Sequence, residues 1–134
     1  MVSVSLYKII MHENKHDQTI ILKEKEGQRQ IPIIIGVAEA AAIKMKVSNI
    51  RPPRPLTHDL LKNVIDQIGA CLQSVIINRL EGNTFYAQLR ILTAQKKVIS
   101  IDARPSDSIA LALRMEAPIF VEEEVFKKLQ FLHG

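Results

Sequence analysis

Apolar and polar residues alternate through residues 2–10, with Val2, Val4 and Leu6 on one side, and this period of two predicts a half-buried strand. Residues 19–24 and 28–35 read as two further strands joined through Lys25-Glu26-Gly27. After Gly36 the period changes. Residues 37–47 are Ala-rich, with Ala40, Ile43 and Val47 at helical spacing, so a helix follows the third strand. Prolines 52, 53 and 55 in Arg51-Pro52-Pro53-Arg54-Pro55 fix φ and keep the next stretch extended as a stiff linker. Thr57 suits the N-cap of a second helix, with Asp59 in its first turn, and this helix runs to about Ile68 before Gly69 ends it.

Residues 74–80 and 84–92 flank Glu81-Gly82-Asn83, which marks a hairpin, and residues 97–102 form another strand. Beyond Arg104-Pro105, Ser106 or Asp107 caps a short helix over residues 109–115 that is apolar on all sides and therefore buried, and Pro118 stops it. Residues 122–132 read as an amphipathic helix with acids at its start and Lys127 and Lys128 towards its end, the polarity a helix dipole favours. These elements predict a single α+β domain over residues 1–134, with a mixed, mainly antiparallel sheet and about four helices.

Composition narrows the picture. Trp is absent and aromatics are few, so the core is built from Ile, Val, Leu and Ala, and little is available for stacking on single-stranded bases. The net charge of +4 favours polyanions mildly, because cations and acids are interspersed along the chain. The single cysteine, Cys71, forms no internal disulfide, and its apolar neighbours predict a small buried residue. The N-terminus shows no basic n-region or cleavage site, and no apolar stretch reaches membrane-spanning length, so the chain reads as soluble and cytoplasmic.

Four places carry candidate chemistry. His12-Glu13-Asn14-Lys15-His16 fits the HExxH zinc pattern, but that mechanism needs a helix and these residues fall between two strands, which predicts an exposed loop. Glu39, one turn into the first helix, is either an ordinary first-turn acid or a half-buried carboxylate with a purpose. His58 and Asp59 open a helix directly after Arg51 and Arg54, confining an imidazole, a carboxylate and two guanidiniums near one helix start. A capped helix with paired arginines explains the same residues. Asp102-Ala103-Arg104-Pro105-Ser106-Asp107 repeats the arrangement at a strand end, and its structural account is a rigid corner in which Asp102 and Asp107 clamp Arg104.

The stretches Arg54-Pro55-Leu56-Thr57-His58-Asp59-Leu60-Leu61 and Asp102-Ala103-Arg104-Pro105-Ser106-Asp107-Ser108-Ile109-Ala110-Leu111-Ala112-Leu113-Arg114 closely resemble the bifunctional nuclease family, also catalogued as a conserved domain of unknown function. Ile31-Pro32-Ile33-Ile34-Ile35-Gly36 with Glu39 is similar to its first strand-to-helix junction, and Ala117-Pro118-Ile119-Phe120-Val121 to its closing segment. Ser108 departs from the family, where alanine is common, and the histidine-rich loop matches none of its motifs. The resemblance implies cleavage of both RNA and DNA, without fixing a catalytic residue.

A site that cuts both nucleic acids cannot depend on the 2′-hydroxyl, so it must direct water or a protein nucleophile at phosphorus. The candidates are His58 as general base, or a magnesium or manganese ion held by some of Glu39, Asp59, Asp102 and Asp107, with Arg51, Arg54 and Arg104 on the phosphate. Either requires the two Arg-Pro segments to meet in space. The competing class is a non-catalytic binding or regulatory module, a homo-oligomer whose polar corners hold an anion, and an Ile-rich domain with strand-like termini leaves a sheet edge for a second copy.

Overall fold

The computed structural model describes residues 1–13 and 16–133. The chain runs β1 (Val2–Ile10), β2 (Asp17–Glu24), β3 (Gln30–Gly36), α1 (Val37–Val47), α2 (Thr57–Gln67), β4 (Cys71–Glu81), β5 (Thr84–Leu92), β6 (Val98–Ala103), α3 (Pro105–Met115), β7 (Ile119–Val121) and α4 (Glu123–His133). These form the expected α+β domain, and among the described residues the strands make one seven-stranded sheet in the order β3-β2-β1-β7-β4-β5-β6. Two antiparallel meanders, β1–β3 and β4–β6, are joined only through β7, antiparallel to β1 and parallel to β4. Sequence patterning misses this central strand because three residues between Pro118 and Glu122 are too few to show a period.

The core follows the alternation. Ile20 and Leu22 of β2, Ile31, Ile33 and Ile35 of β3, and Ala87, Leu89 and Ile91 of β5 point inward. They meet α3, whose Ile109, Ala110, Leu111 and Ala112 are buried as the all-round apolar run predicts. Cys71 departs from expectation. It is exposed, because β4 turns the next residue, Leu72, into the core and so sends Cys71 outward. Gly69 does end α2, taking the left-handed φ of 78° that a side chain would strain.

Both helix starts near the Arg-Pro segments differ from the sequence expectation by one to four residues. Leu56, not Thr57, is the N-cap of α2, and the missing side-chain cap is replaced from within: Asp59 Oδ2 accepts from the Leu56 N–H at 2.9 Å. Arg104, not Ser106 or Asp107, is the N-cap of α3, because Pro105 is preorganised for the first helical position and needs no N–H partner there. His12 lies in irregular backbone after β1 and His16 in a bend before β2, as the loop reading expects, while Asn14 and Lys15 of that motif lie outside the described residues. The His12 ring is 3.1 Å from Thr19 Oγ1, a contact that fixes the loop to β2.

Candidate active site

Three element starts converge at one corner. The β6–α3 junction supplies Arg104 and Asp107, the first turn of α2 supplies His58, and the first turn of α1 supplies Glu39. Pro105 sets the first turn of α3 so that Arg104 and Asp107, three apart, share a face, and Arg104 Nε donates to Asp107 Oδ2 at 2.9 Å. The other carboxylate oxygen, Asp107 Oδ1, lies 2.9 Å from His58 Nε2. Arg104 Nη2 donates to Glu39 Oε1 at 3.3 Å, completing a continuous line Glu39–Arg104–Asp107–His58. Two small residues make room: Ser108, fully buried, tucks its hydroxyl onto the Arg104 carbonyl at 2.9 Å, and a Cβ at Gly36 would collide with Oε2 of Glu39.

The electrostatics follow from these contacts. Burial pushes the Asp107 carboxyl up, but the bonds from His58 and Arg104 and the guanidinium charge outweigh it and hold the group below its ordinary value. Arg104 is pushed up, chiefly by its bond to Asp107 and that group's charge. His58 is buried, and its ring is oriented by an ionised carboxylate, the arrangement that fixes an imidazole for proton transfer.

This corner closes one end of a groove of about 770 Å³ between α2 and the strands β5 and β6. Its walls are apolar, with Leu61, Ile65, Leu89, Ile91, Ile99 and Ile101; its ionisable groups His58, Asp102, Arg104 and Asp107 stand towards the β6–α3 end, and Thr93 and Gln95 line it at the β5–β6 turn. The first turn of α2 separates it from a second hollow of about 540 Å³, lined by Lys46, Arg51, Arg54, Lys62, Asp59 and Arg114 among others.

Of the residues singled out from sequence, Glu39, His58, Arg104 and Asp107 are therefore brought together, while four are not. Asp59 faces the other side of α2, where Arg114 Nε donates to its Oδ1 at 2.7 Å. Burial pushes the Asp59 carboxyl up, but the Leu56 N–H and Arg114 prevail and hold it below its ordinary value. Arg51 and Arg54 are exposed along the second hollow. Asp102 reaches only the groove's rim and, among the described residues, bonds to none of the cluster, so it does not clamp Arg104. Nor do the carboxylates form an oxygen cage: Glu39 and Asp107 are both taken by Arg104, and among the described residues no three His, Cys, Asp or Glu side chains stand close enough to share a metal ion.

The residue that sequence reading missed is Arg114. It is buried in α3 and donates to Asp59, to the Ala110 carbonyl at 2.9 Å and to the Ala42 carbonyl at 3.1 Å, tying α1, α2 and α3 together behind the corner. An arginine in an otherwise apolar helix was the available signal, since a buried guanidinium demands partners.

Residues 20–133 match the model of the bifunctional nuclease domain. The chain belongs to this family. An uncharacterized protein of Mycobacterium tuberculosis is 41% identical over 132 residues, covering 98% of this chain and 78% of its own. Bifunctional nuclease 1 of Oryza sativa subsp. indica is 26% identical over 118 residues, which are 86% of this chain but 36% of the rice protein. Bifunctional nuclease 1 of Arabidopsis thaliana is 27% identical over 107 residues, 78% of this chain and 33% of that protein. The bifunctional nuclease domain thus embraces the whole Glu39–Arg104–Asp107–His58 line, whereas the plant relatives extend far beyond it.

Proposed function

We propose that this chain hydrolyses phosphodiester bonds in RNA and DNA at the corner where the apolar groove meets His58. The observation that carries the reading is the 2.9 Å contact between His58 and Asp107, which joins the two Arg-Pro segments across 49 residues of sequence. With Asp107 holding Nε2–H, the His58 Nδ1 lone pair can take a proton from water as the water oxygen bonds to phosphorus. The same proton can return to the departing oxygen as the P–O bond breaks, so protons and electrons balance without a 2′-hydroxyl. Arg104 spends only two of its donors on Glu39 and Asp107 and stays largely exposed, which leaves N–H groups for the charge that develops on the phosphoryl oxygens. Arg51, Arg54 and Lys46 offer a second set of phosphate contacts beside the same helix start.

The family name of the plant relatives supports this reading, and so does the positive charge. A lone, unpaired Cys71 is in keeping with a reducing, cytoplasmic setting. Among the described residues no helix is long and apolar enough to cross a membrane. A second reading, a non-catalytic module that binds an anion, is favoured by one observation: the cluster's carboxylates, Glu39 and Asp107, are both engaged by Arg104 instead of standing free.

End-labelled single-stranded RNA and DNA, incubated with the protein in magnesium, manganese or EDTA, separate the two. Loss of a general base is expected to lower cleavage by about 10²–10⁴-fold in His58→Ala, with a loss also in Asp107→Asn, while both variants stay folded. Equal cleavage by the parent and both variants, purified identically, would overturn the catalytic reading, and absence of cleavage with retained oligonucleotide binding would favour the second.

A further inference from the structure

The corner alone gives a polyanion little reason to approach. Beside His58 stand two carboxylates, Glu39 and Asp107, against one guanidinium, Arg104, and Asp102 adds a further acid at the rim. The charge that could attract a phosphate backbone lies across the first turn of α2. There the hollow of about 540 Å³ is lined by five cations, Lys46, Arg51, Arg54, Lys62 and Arg114, and by one carboxylate, Asp59. Lys62 is paired with Asp66 and Arg114 with Asp59. Lys46, Arg51 and Arg54 are exposed and, among the described residues, make no ion pair or side-chain hydrogen bond. Most of the chain's net charge of +4 is thus gathered, unneutralised, in one concavity.

The frame of this hollow is set in advance. α1 ends at Val47, Asn49 takes a left-handed φ of 56°, and the Ile50 N–H donates to the Met45 carbonyl at 2.9 Å, which turns the chain back beside Lys46. Prolines 52, 53 and 55 then fix φ on both sides of Arg54. Deepest among the lining residues is Arg114, 8% exposed. It donates to Asp59, Ala110 and Ala42 and, among the described residues, keeps two of its five N–H groups unspent. A backbone fixed before the ligand arrives leaves only side-chain freedom to be lost on binding.

A third hollow, of about 430 Å³, joins this one to the corner. It shares Met45 and Leu56 with the basic hollow, and Thr57, His58, Arg104 and Asp107 with the groove. Ala38, Ala41 and Ala42 of α1 line it, and their small side chains keep the passage between α1 and α2 open.

We propose that the basic hollow is a second phosphate site, holding backbone phosphates of a strand whose scissile bond lies at the corner, and so selecting oligonucleotides long enough to span both. Its use in cleavage rests on the phosphodiester reading; the binding does not. Attraction remote from the reacting bond offsets the repulsion that Glu39 and Asp107 exert there. A dinucleotide, with a single phosphate, cannot occupy corner and hollow together and gains nothing from the second site.

Binding is measured on the full chain carrying His58→Ala, in EDTA, by fluorescence anisotropy of a labelled single-stranded oligonucleotide over a salt series. The same titration is run with Lys46→Gln, Arg51→Gln and Arg54→Gln added. For single strands log K falls with log salt by about 0.7 per phosphate neutralised, so losing these cations is expected to flatten the slope by about 2 and weaken binding about 100-fold in about 0.1 M salt. The urea midpoint is expected to stay in place, because the three side chains bond to nothing. A control set, Lys25→Gln, Lys97→Gln and Lys128→Gln, removes equal charge elsewhere and is expected to keep the slope near the parent's. A slope unmoved by the hollow substitutions, or moved as far by the control set, overturns the site. Inorganic tripolyphosphate at matched ionic strength identifies the source of the phosphates: weak competition supports the strand, whereas saturable binding lost with the three cations overturns the strand in favour of a free oligophosphate. With His58 restored, cleavage as fast on a dinucleotide as on a longer strand overturns the length selection. A flattened slope without cleavage of any strand sinks the phosphodiester reading and leaves the phosphate site standing.

Discussion

Replacing Arg114 with methionine removes all three donors from the junction of α1, α2 and α3 while keeping an unbranched side chain of similar reach. The Arg114 side chain is 5% exposed and that of Asp59 30%, so the pair is much better shielded than a surface ion pair. Breaking a fully buried pair by removing one member costs about 3–5 kcal/mol, chiefly by stranding the other charge. Asp59 retains the Leu56 N–H and some contact with water, which reduces the expected loss to about 2–3 kcal/mol, within the range of one charged hydrogen bond. Out of a total stability of about 5–15 kcal/mol, the variant remains folded at room temperature. With a urea slope of about 1–3 kcal/mol per molar, its midpoint falls by about 0.7–3 M. A double-mutant cycle isolates the pair: Arg114→Met and Asp59→Asn together are expected to cost less than the sum of the two alone, by at least 1 kcal/mol or so. Strict additivity in urea melts would refute the reasoning, because it would mean that the two groups do not sense each other.

The pH dependence of stability follows from depressed carboxyls. Asp107 and Asp59 both lie below their ordinary value of 3.8, so they contribute stability that is present above that value and lost as pH falls through their folded-state values. Urea midpoints measured from neutral pH down to the acid range should therefore drop below about pH 4, with a shallower drop in Asp107→Asn; identical profiles would sever the link to this carboxylate. Cys71 should react with a thiol reagent in the native protein about as readily as in urea, and a thiol silent until denaturant is added would contradict its outward placement.

Elements were legible where a period lasted long enough to be read. The Ala-rich run after Gly36 is α1 over the predicted residues, and the clean alternation of Phe85, Ala87, Leu89 and Ile91 is β5. Local chemistry misled at helix starts, because a Thr or Ser in the right neighbourhood is outweighed by a proline at the first helical position or by an acid three residues on. At the site, His58, Arg104, Asp107 and Glu39 were visible as unusual residues beside helix starts. That they form one line, and that Asp59, Arg51, Arg54 and Asp102 stand apart from it, depends on how three helices cross, which no local pattern encodes. Cys71 shows the same limit: its neighbours are apolar, but one step of strand register decides which of them faces in.

Because β7 alone joins the two meanders, the sheet closes only when residues from near opposite ends of the described chain meet, Val2 against Val121 and Val4 against Ile119. On a ribosome, β1–β3 and β4–β6 emerge as two hairpin-built pieces, each with a raw inner edge, and neither can be sealed until Ile119–Val121 has left the exit tunnel. The groove-facing corner lies just upstream of that closing strand, at the start of α3. Assembly of the Glu39–Arg104–Asp107–His58 line and closure of the sheet are therefore expected to fall together, late in synthesis.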